Sequence, residues 1–313
     1  MQQQRTTSIA VVVPCYNEEA TVAKVVTDFR LALPQATVWV FDNASTDATV
    51  ERAREAGACV RHVPLRGKGH VVRRIFADVE ADVYVLVDGD DTYPAESAPT
   101  LINALLEQHL DMLVARRVEA PEDAYRSGHR FGNWLLTRSV RTIFSSSFTD
   151  MLSGYRVFSR RYAKSFPTHA VGFEIETELT VHALELHMPV DELDVNYRAR
   201  PEGSTSKLNT WRDGWRILRT IVRLVKSERP QAFFGTGTVL CTLVSVLMAA
   251  PLLRTYLSTG LVPRFPTAIL CASLALLGAI LLACGLILDT VTRGRIETKR
   301  LAYLAIPAPG SSR

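Results

Sequence analysis

Two stretches of this chain carry no charged residue: the residues between Arg229 and Arg254, and those between Arg264 and Asp289. Each exceeds the roughly 20 apolar residues that a helix needs to cross a bilayer. The short connection between them holds Gly260 and Pro263, so the pair predicts a two-helix transmembrane hairpin over 230–290 rather than a buried pair in a soluble core. Basic residues crowd before the first stretch (Arg212, Arg216, Arg219, Arg223, Lys226, Arg229) and after the second (Arg293, Arg295, Lys299, Arg300), whereas the connection carries Arg254 and Arg264. Lys and Arg favour the cytoplasmic flanks of a span. Both flanks, including a basic tail over 291–313, are therefore expected in the cytoplasm, on a multi-pass protein of the inner membrane.

Just before the first stretch, Arg212, Arg216, Arg219, Arg223 and Lys226 recur at helical spacing, with Trp211, Trp215, Leu218, Val222 and Val225 in the neighbouring rows. That pattern predicts an amphipathic helix over 209–229 lying in the headgroup layer. The alternative is a helix packed on the preceding domain with a solvated basic face.

Residues 1–208 read as one α/β domain. Apolar, β-branched runs at Ile9–Val13, Thr37–Phe41, Cys59–Val63, Val83–Val87 and Met112–Ala115 alternate with helical patterns at Ala20–Leu33, Ala48–Ala56, His70–Glu80 and Ala95–Gln108. This alternation predicts a mostly parallel sheet with helices on both faces. Further helices are expected around Gly132–Phe144 and Glu174–Leu186. The run Ile9–Val13 is too short for a signal-peptide core and meets Pro14, so this domain is expected to stay in the cytosol. A net charge of +4, with acids and bases mixed, argues against a nucleic-acid partner. The five cysteines share no metal-ligand spacing and read as reduced.

Sheets of this kind bind ligands at the carboxyl ends of their strands, and the polar clusters fall there. They are Pro14-Cys15-Tyr16-Asn17-Glu18, Asp42-Asn43-Ala44-Ser45-Thr46-Asp47 and Asp88-Gly89-Asp90-Asp91. The last of these gathers carboxylates in one turn, where a hard cation, Mg2+ or Mn2+, would complete its shell with the phosphate oxygens of a diphosphate. A solvated turn or a helix cap is the alternative for such a cluster.

Taken in order, these motifs resemble the inverting family 2 glycosyltransferases of GT-A fold, and among them the dolichyl-phosphate mannosyltransferase and polyprenyl-phosphate glucosyltransferase group. Pro14 to Glu18 matches the opening Pro-x-Tyr-Asn-Glu, and Asp42 to Asp47 matches Asp-Asp-x-Ser-x-Asp with Asn43 in place of the second Asp. Arg66-Gly67-Lys68-Gly69 stands at the Gly-rich turn, and Asp88-Gly89-Asp90 at Asp-x-Asp. Thr149 to Arg156 is similar to Thr-Asp-x-x-Ser-Gly-Phe-Arg, Gly172-Phe173-Glu174 with Glu178-Leu179 to the next motif, and Arg200 to Leu208 to Arg-x-x-Gly-x-Ser-Lys-Leu with one residue more.

The resemblance implies transfer of a single sugar from a UDP- or GDP-linked donor to a polyprenyl phosphate, undecaprenyl or dolichyl, at the membrane. It implies donor ligands Pro14, Tyr16, Glu18, Asp42, Lys68, Asp88, Arg200 and Lys207, and metal ligands Asp88 and Asp90. Close relatives have a Gln where this chain has Thr92, so Asp91 is expected to supply the third ligand. Asp150, Asp90 and Arg117 are the implied catalytic residues, with Asp150 as base or as an orienting group. Arg117, Arg130 and Arg156 are the implied acceptor-phosphate ligands, and Glu176 and Glu178 are expected to pair with these cations. The Gln-x-x-Arg-Trp tetrad of the processive branch does not occur. A homo-oligomer is compatible with the reading. Its competitors are a tethered sugar-nucleotide binder without turnover, a nucleotidyltransferase, and a transferase with a protein or glycan acceptor.

Overall fold

Short β-branched runs bounded by polar turns set the frame of the sheet. The computed structural model describes residues 7–118, 138, 140–142, 144, 148–167, 174–198 and 210–309. The chain divides into two compact units, Met1–Ile217 with Thr298–Arg313, and Leu218–Glu297.

In the first unit the strands are β1 (Ile9–Cys15), β2 (Thr37–Asp42), β3 (Cys59–His62), β4 (Val83–Leu86), β5 (Met112–Val118), β6 (Arg156–Ser159) and β7 (Val190–Asn196). They form one sheet in the order β3-β2-β1-β4-β6-β5-β7. The pairs β2–β1, β3–β2, β1–β4 and β5–β7 are parallel, while β6 lies antiparallel between β4 and β5. The five strands expected from the sequence are present, and β6 and β7 are additions to that expectation.

Helices α1 (Val22–Ala32), α2 (Thr49–Glu55), α3 (Lys68–Asp78) and α4 (Ala98–Glu107) fill the crossovers. Helix α1 buries Val22, Val25, Val26 and Phe29, the spacing of a single apolar stripe. Helix α3 does the same with Val71, Val72, Ile75 and Phe76. Helices α5 (Arg160–Ser165) and α6 (Ile175–Glu185) follow β6. Order reverses between β1 and β4, which are neighbours although their crossovers leave in opposite directions. A crevice at the carboxyl ends of such a pair is where doubly wound sheets hold ligands.

Residues from Thr298 onward belong to this unit. Lys299 Nζ donates to Glu185 Oε2 at 2.5 Å, and Tyr303 Oη donates to Asp111 Oδ2 at 2.7 Å. Asp111, wholly buried at the foot of β5, also accepts the Ser159 hydroxyl and a two-bond fork from Arg161. The Arg161 guanidinium lies 4.7 Å from the Tyr303 ring centre. His182, beside these groups on α6, is pushed down to about 3 by burial and by the Lys299 ammonium. It is a neutral structural residue at physiological pH.

The second unit contains the end of α7 (Thr210–Glu228), all of α8 (Pro230–Thr259) and most of α9 (Phe265–Leu304). Helices α8 and α9 are long and apolar enough to cross a membrane. Their large side chains, such as Leu240, Leu247, Leu277 and Ile287, face outward instead of forming a core. Where the two helices meet, small residues bring the backbones together. A methyl group on Gly285 would stand 3.1 Å from Phe234 Cβ, and one on Gly278 would stand 3.2 Å from Thr242 Oγ1. Thr238 and Ser245 donate across to the carbonyls of Gly278 and Cys271. At the ends nearest α7, Arg295 bonds Glu228 and Ser227. Helix α7 covers the amphipathic segment, with Arg219, Arg223 and Lys226 exposed and Leu224 buried.

Candidate active site

Two loops at the carboxyl ends of β1 and β2 are laced together by side chains. Asn17 and Ala44 both take left-handed backbone angles, which turn these loops sharply toward each other. The Asn17 amide donates to Ser45 Oγ, and Asn17 Oδ1 accepts the Thr46 amide. The Glu18 amide donates to Thr49 Oγ1. Pro14, the residue before the end of β1, and Tyr16 and Glu18, just past it, are half-buried along this seam.

Asp42 is buried at the end of β2, accepting from the Ser45 amide and facing His62 Nδ1 at 2.8 Å. Asn43 has a different task. Its amide nitrogen donates to the carbonyls of Val63 and Leu65, and its oxygen accepts the Gly67 amide. An aspartate could make only the last of these bonds, because a carboxylate has no donors. Asn43 thus fixes the β3–α3 loop, which places the Arg66 guanidinium 5.1 Å from the Tyr16 ring centre and starts α3 at Lys68.

The acidic turn follows β4. Asp88 remains partly open to solvent, while Asp90 is buried and accepts from the Thr92 hydroxyl at 2.6 Å. Thr92 therefore braces Asp90. Asp91 adopts a left-handed backbone and pairs with Lys24 of α1 at 2.8 Å. The structure brings Asp88 and Asp90 to one turn and gives Asp91 to α1. Among the described residues no three His, Cys, Asp or Glu side chains converge as a metal cage.

Lys68 Nζ lies 2.6 Å from Asp88 Oδ1 and 2.6 Å from Glu176 Oε1. Burial opposes its charge, but the two carboxylates hold the ammonium above its ordinary range. The Cys15 thiol is pushed well up by burial, and then by Glu18, Asp42, Asp88 and Asp90. Two carboxylates from one turn, completed by phosphate oxygens, suit Mg2+ or Mn2+ better than an all-protein cage, and the Lys68 ammonium against Asp88 stands where positive charge is wanted.

A single loop, Thr149–Tyr155, links this acidic turn to a second group of residues. Arg117 holds Asp150 through a fork, Nε to Oδ2 and Nη2 to Oδ1 at 2.7 Å each, while its guanidinium lies 5.5 Å from the Tyr197 ring centre. Glu192 of β7 accepts from the Thr149 and Asp150 amides. Ser153 donates to the Ala115 carbonyl, and Tyr93 Oη accepts the Gly154 amide. Arg156 is fully buried, donating to the carbonyls of Ser153 and Met151 and to Thr180 Oγ1. It supports the loop from below and does not join Arg117 at an open surface.

Gly154 lies directly under the acidic turn. A Cβ there would stand 2.1 Å from Asp88 Oδ2, too close for the carboxylate to stay. Gly154→Ala is expected to lower turnover by at least about tenfold, in line with the cost of displacing a reacting group, with little change in melting temperature. Kinetics beside thermal melts check this, and unchanged turnover would show that Asp88 does not need its present position.

Arg130, Arg200 and Lys207 lie outside the described residues, as do most of the helix expected at 132–144 and the Gly172-Phe173 pair. Glu192 and Tyr93 were not singled out in the sequence. Glu192 sits in a polar strand that carried no strand signal, and Tyr93 is separated from its partner Gly154 by 61 residues.

Residues 10–166 match the family described as glycosyl transferase family 2. Glycosyltransferase AglJ of Haloferax volcanii is 34% identical over 230 residues, 73% of this chain and 76% of that one. A dolichyl-phosphate hexose transferase of the same organism is 28% identical, covering 71% and 95%. Among solved structures, glucosyl-3-phosphoglycerate synthase from Mycobacterium tuberculosis, in a complex with Mn2+, UDP and glucosyl-3-phosphoglycerate, superposes with a TM-score of 0.58. It is 23% identical over 70% of this chain and 80% of that one, a likeness of fold. The fold is GT-A, and the chain is a glycosyltransferase that belongs to glycosyl transferase family 2.

Proposed function

We propose that the protein transfers one sugar from a nucleotide diphosphate sugar to a polyprenyl phosphate at the cytoplasmic face of a membrane, with α8 and α9 as its anchor. The observation that carries this reading is the Thr149–Tyr155 loop: Asp150 at one end grips Arg117, and Gly154 at the other bears on Asp88. In this reading one short segment adjoins the places of both anions.

On the donor side, Asp88 and Asp90 would hold Mg2+ or Mn2+, which when bound offsets the charge that builds on the departing diphosphate. Lys68 adds a cation at the same place, and Tyr16 with Asp42 borders the nucleotide. On the acceptor side, Arg117 would face the lipid phosphate, since a guanidinium suits phosphate. A phosphate monoester is mostly dianionic at neutral pH, so its oxygen attacks the anomeric carbon without needing a base, and the nucleoside diphosphate leaves. Asp150 then serves to hold Arg117. Arg130, Arg200 and Lys207 complete the proposed phosphate ligands.

The lipid acceptor is supported by the two long apolar helices and by relatives named as dolichyl-phosphate hexose transferase and dolichol-phosphate mannosyltransferase. The test is to supply purified protein in liposomes with a short polyprenyl phosphate, Mg2+ or Mn2+, and a panel of radiolabelled nucleotide sugars. Label is expected in the lipid extract, from one donor above the others. Label that enters only water-soluble product would overturn the lipid acceptor.

A further inference from the structure

The Lys68 ammonium is shared by two carboxylates of unequal access. The Asp88 side chain is 30% exposed and that of Glu176 is 8% exposed. Both lie 2.6 Å from Nζ. Glu176 Oε2, the oxygen that Lys68 does not take, is buried and has no hydrogen-bond partner among the described residues. A buried carboxylate oxygen without a donor is costly, so this arrangement is held at the expense of stability. Glu176 comes from α6, 108 residues beyond Lys68 in the chain.

A dication arriving at this centre can reach Asp88 and repels the ammonium beside it. Without a second counter-charge, Lys68 would either block the cation or be expelled with it. We propose that Glu176 is a positioning residue that retains Lys68 when Asp88 exchanges the ammonium for a divalent cation. Lys68 is thereby kept at the donor site as a ligand for the diphosphate. The inference rests on the donor-diphosphate reading given above. It makes Lys68 and the dication competitors for Asp88, and Glu176 the group that sets the terms of that competition.

The test is titration of the full-length protein in detergent with Mn2+, followed by the electron paramagnetic resonance signal of the free ion, so that no turnover is needed. Lys68→Met is expected to tighten Mn2+ binding about tenfold, because a like charge within a few ångströms is removed. Glu176→Gln is expected to weaken it about tenfold, since Lys68 then leans wholly on Asp88. In the Lys68→Met background, Glu176→Gln should weaken Mn2+ binding much less than in the wild type, leaving only the direct pull of a nearby carboxylate on the ion. Lys68→Met leaves the buried Glu176 unpaired, whereas the double variant leaves only the more exposed Asp88 without its ammonium; near-ultraviolet circular dichroism of each variant before titration shows that the fold is kept.

Equal weakening by Glu176→Gln in both backgrounds would mean that Glu176 acts on the ion directly, as a ligand or through its charge, and would overturn the proposal. So would Mn2+ binding by the single variant that matches wild type. Wild-type protein that binds no Mn2+, with or without donor, would instead remove the metal-diphosphate reading, and this inference with it.

Discussion

Exchanging Asp150 for Asn is expected to lower sugar transfer by about a hundredfold or more, the scale of misplacing a substrate-positioning group, while the protein remains folded. The carboxylate accepts both arms of the Arg117 fork and is nearly buried. An amide would keep one acceptor and turn its own N–H groups toward the guanidinium, so Arg117 would leave its present position. If Asp150 works through Arg117, Arg117→Ala should cost about as much, and the double variant little more than either alone, as for residues that act as a unit. Rates for the three variants, taken with saturating donor and varied acceptor, decide this. A large loss for Asp150→Asn beside near-normal turnover for Arg117→Ala would make Asp150 a base.

Deletion of Thr298–Arg313 should lower the thermal midpoint of the α/β unit by about 10 °C or more. The segment brings the Lys299 ammonium to Glu185, whose side chain is 2% exposed, and the Tyr303 hydroxyl to the wholly buried Asp111. Removing one member of a buried ion pair typically costs about 3–5 kcal/mol. For a unit of this size that cost corresponds to several degrees per lost pair. Lys299→Met alone should show most of the loss, and Glu185→Gln in the same chain should restore part of it by removing the stranded charge. Melts followed by near-ultraviolet circular dichroism measure both. A midpoint unmoved by the deletion would mean that these contacts contribute nothing to stability.

What could be read in advance follows from how local each signal is. The parallel strands were legible because each is a buried run of Val, Ile or Phe between polar turns, and α1 and α3 because their apolar stripes repeat within one helix. Strand β6 was hidden: it has four residues, all buried, and opens with Arg156, a residue that seldom starts a core strand. Strand β7, Val-Asp-Glu-Leu-Asp-Val-Asn, is polar because it closes the edge of the sheet, where charged residues discourage further pairing.

Among the candidate site residues, motif and position singled out Asp88, Asp90, Asp150, Arg117 and Lys68, since each lies at the end of a strand or inside a matched motif. They did not reveal which partner each would take. Asp91 looks equivalent to its neighbours in sequence, yet its left-handed backbone sends it to Lys24. Arg156 resembles a surface phosphate ligand, yet burial and two carbonyl acceptors make it a support for the loop above. Such partners come from distant parts of the chain, and no local pattern records them.

The contacts of Lys299 and Tyr303 also impose an order on how the molecule is made. Asp111 and Tyr303 are 192 residues apart, and all of α8 and nearly all of α9 lie between them in the chain. A nascent α/β unit therefore holds Asp111 and Glu185 without their last partners until those helices have left the ribosome. Chains that stall in between expose an incompletely stabilised unit to proteases and chaperones, which act on the transiently open fraction. The α/β unit thus gains its full resistance to degradation only in molecules whose apolar helices have already been synthesised.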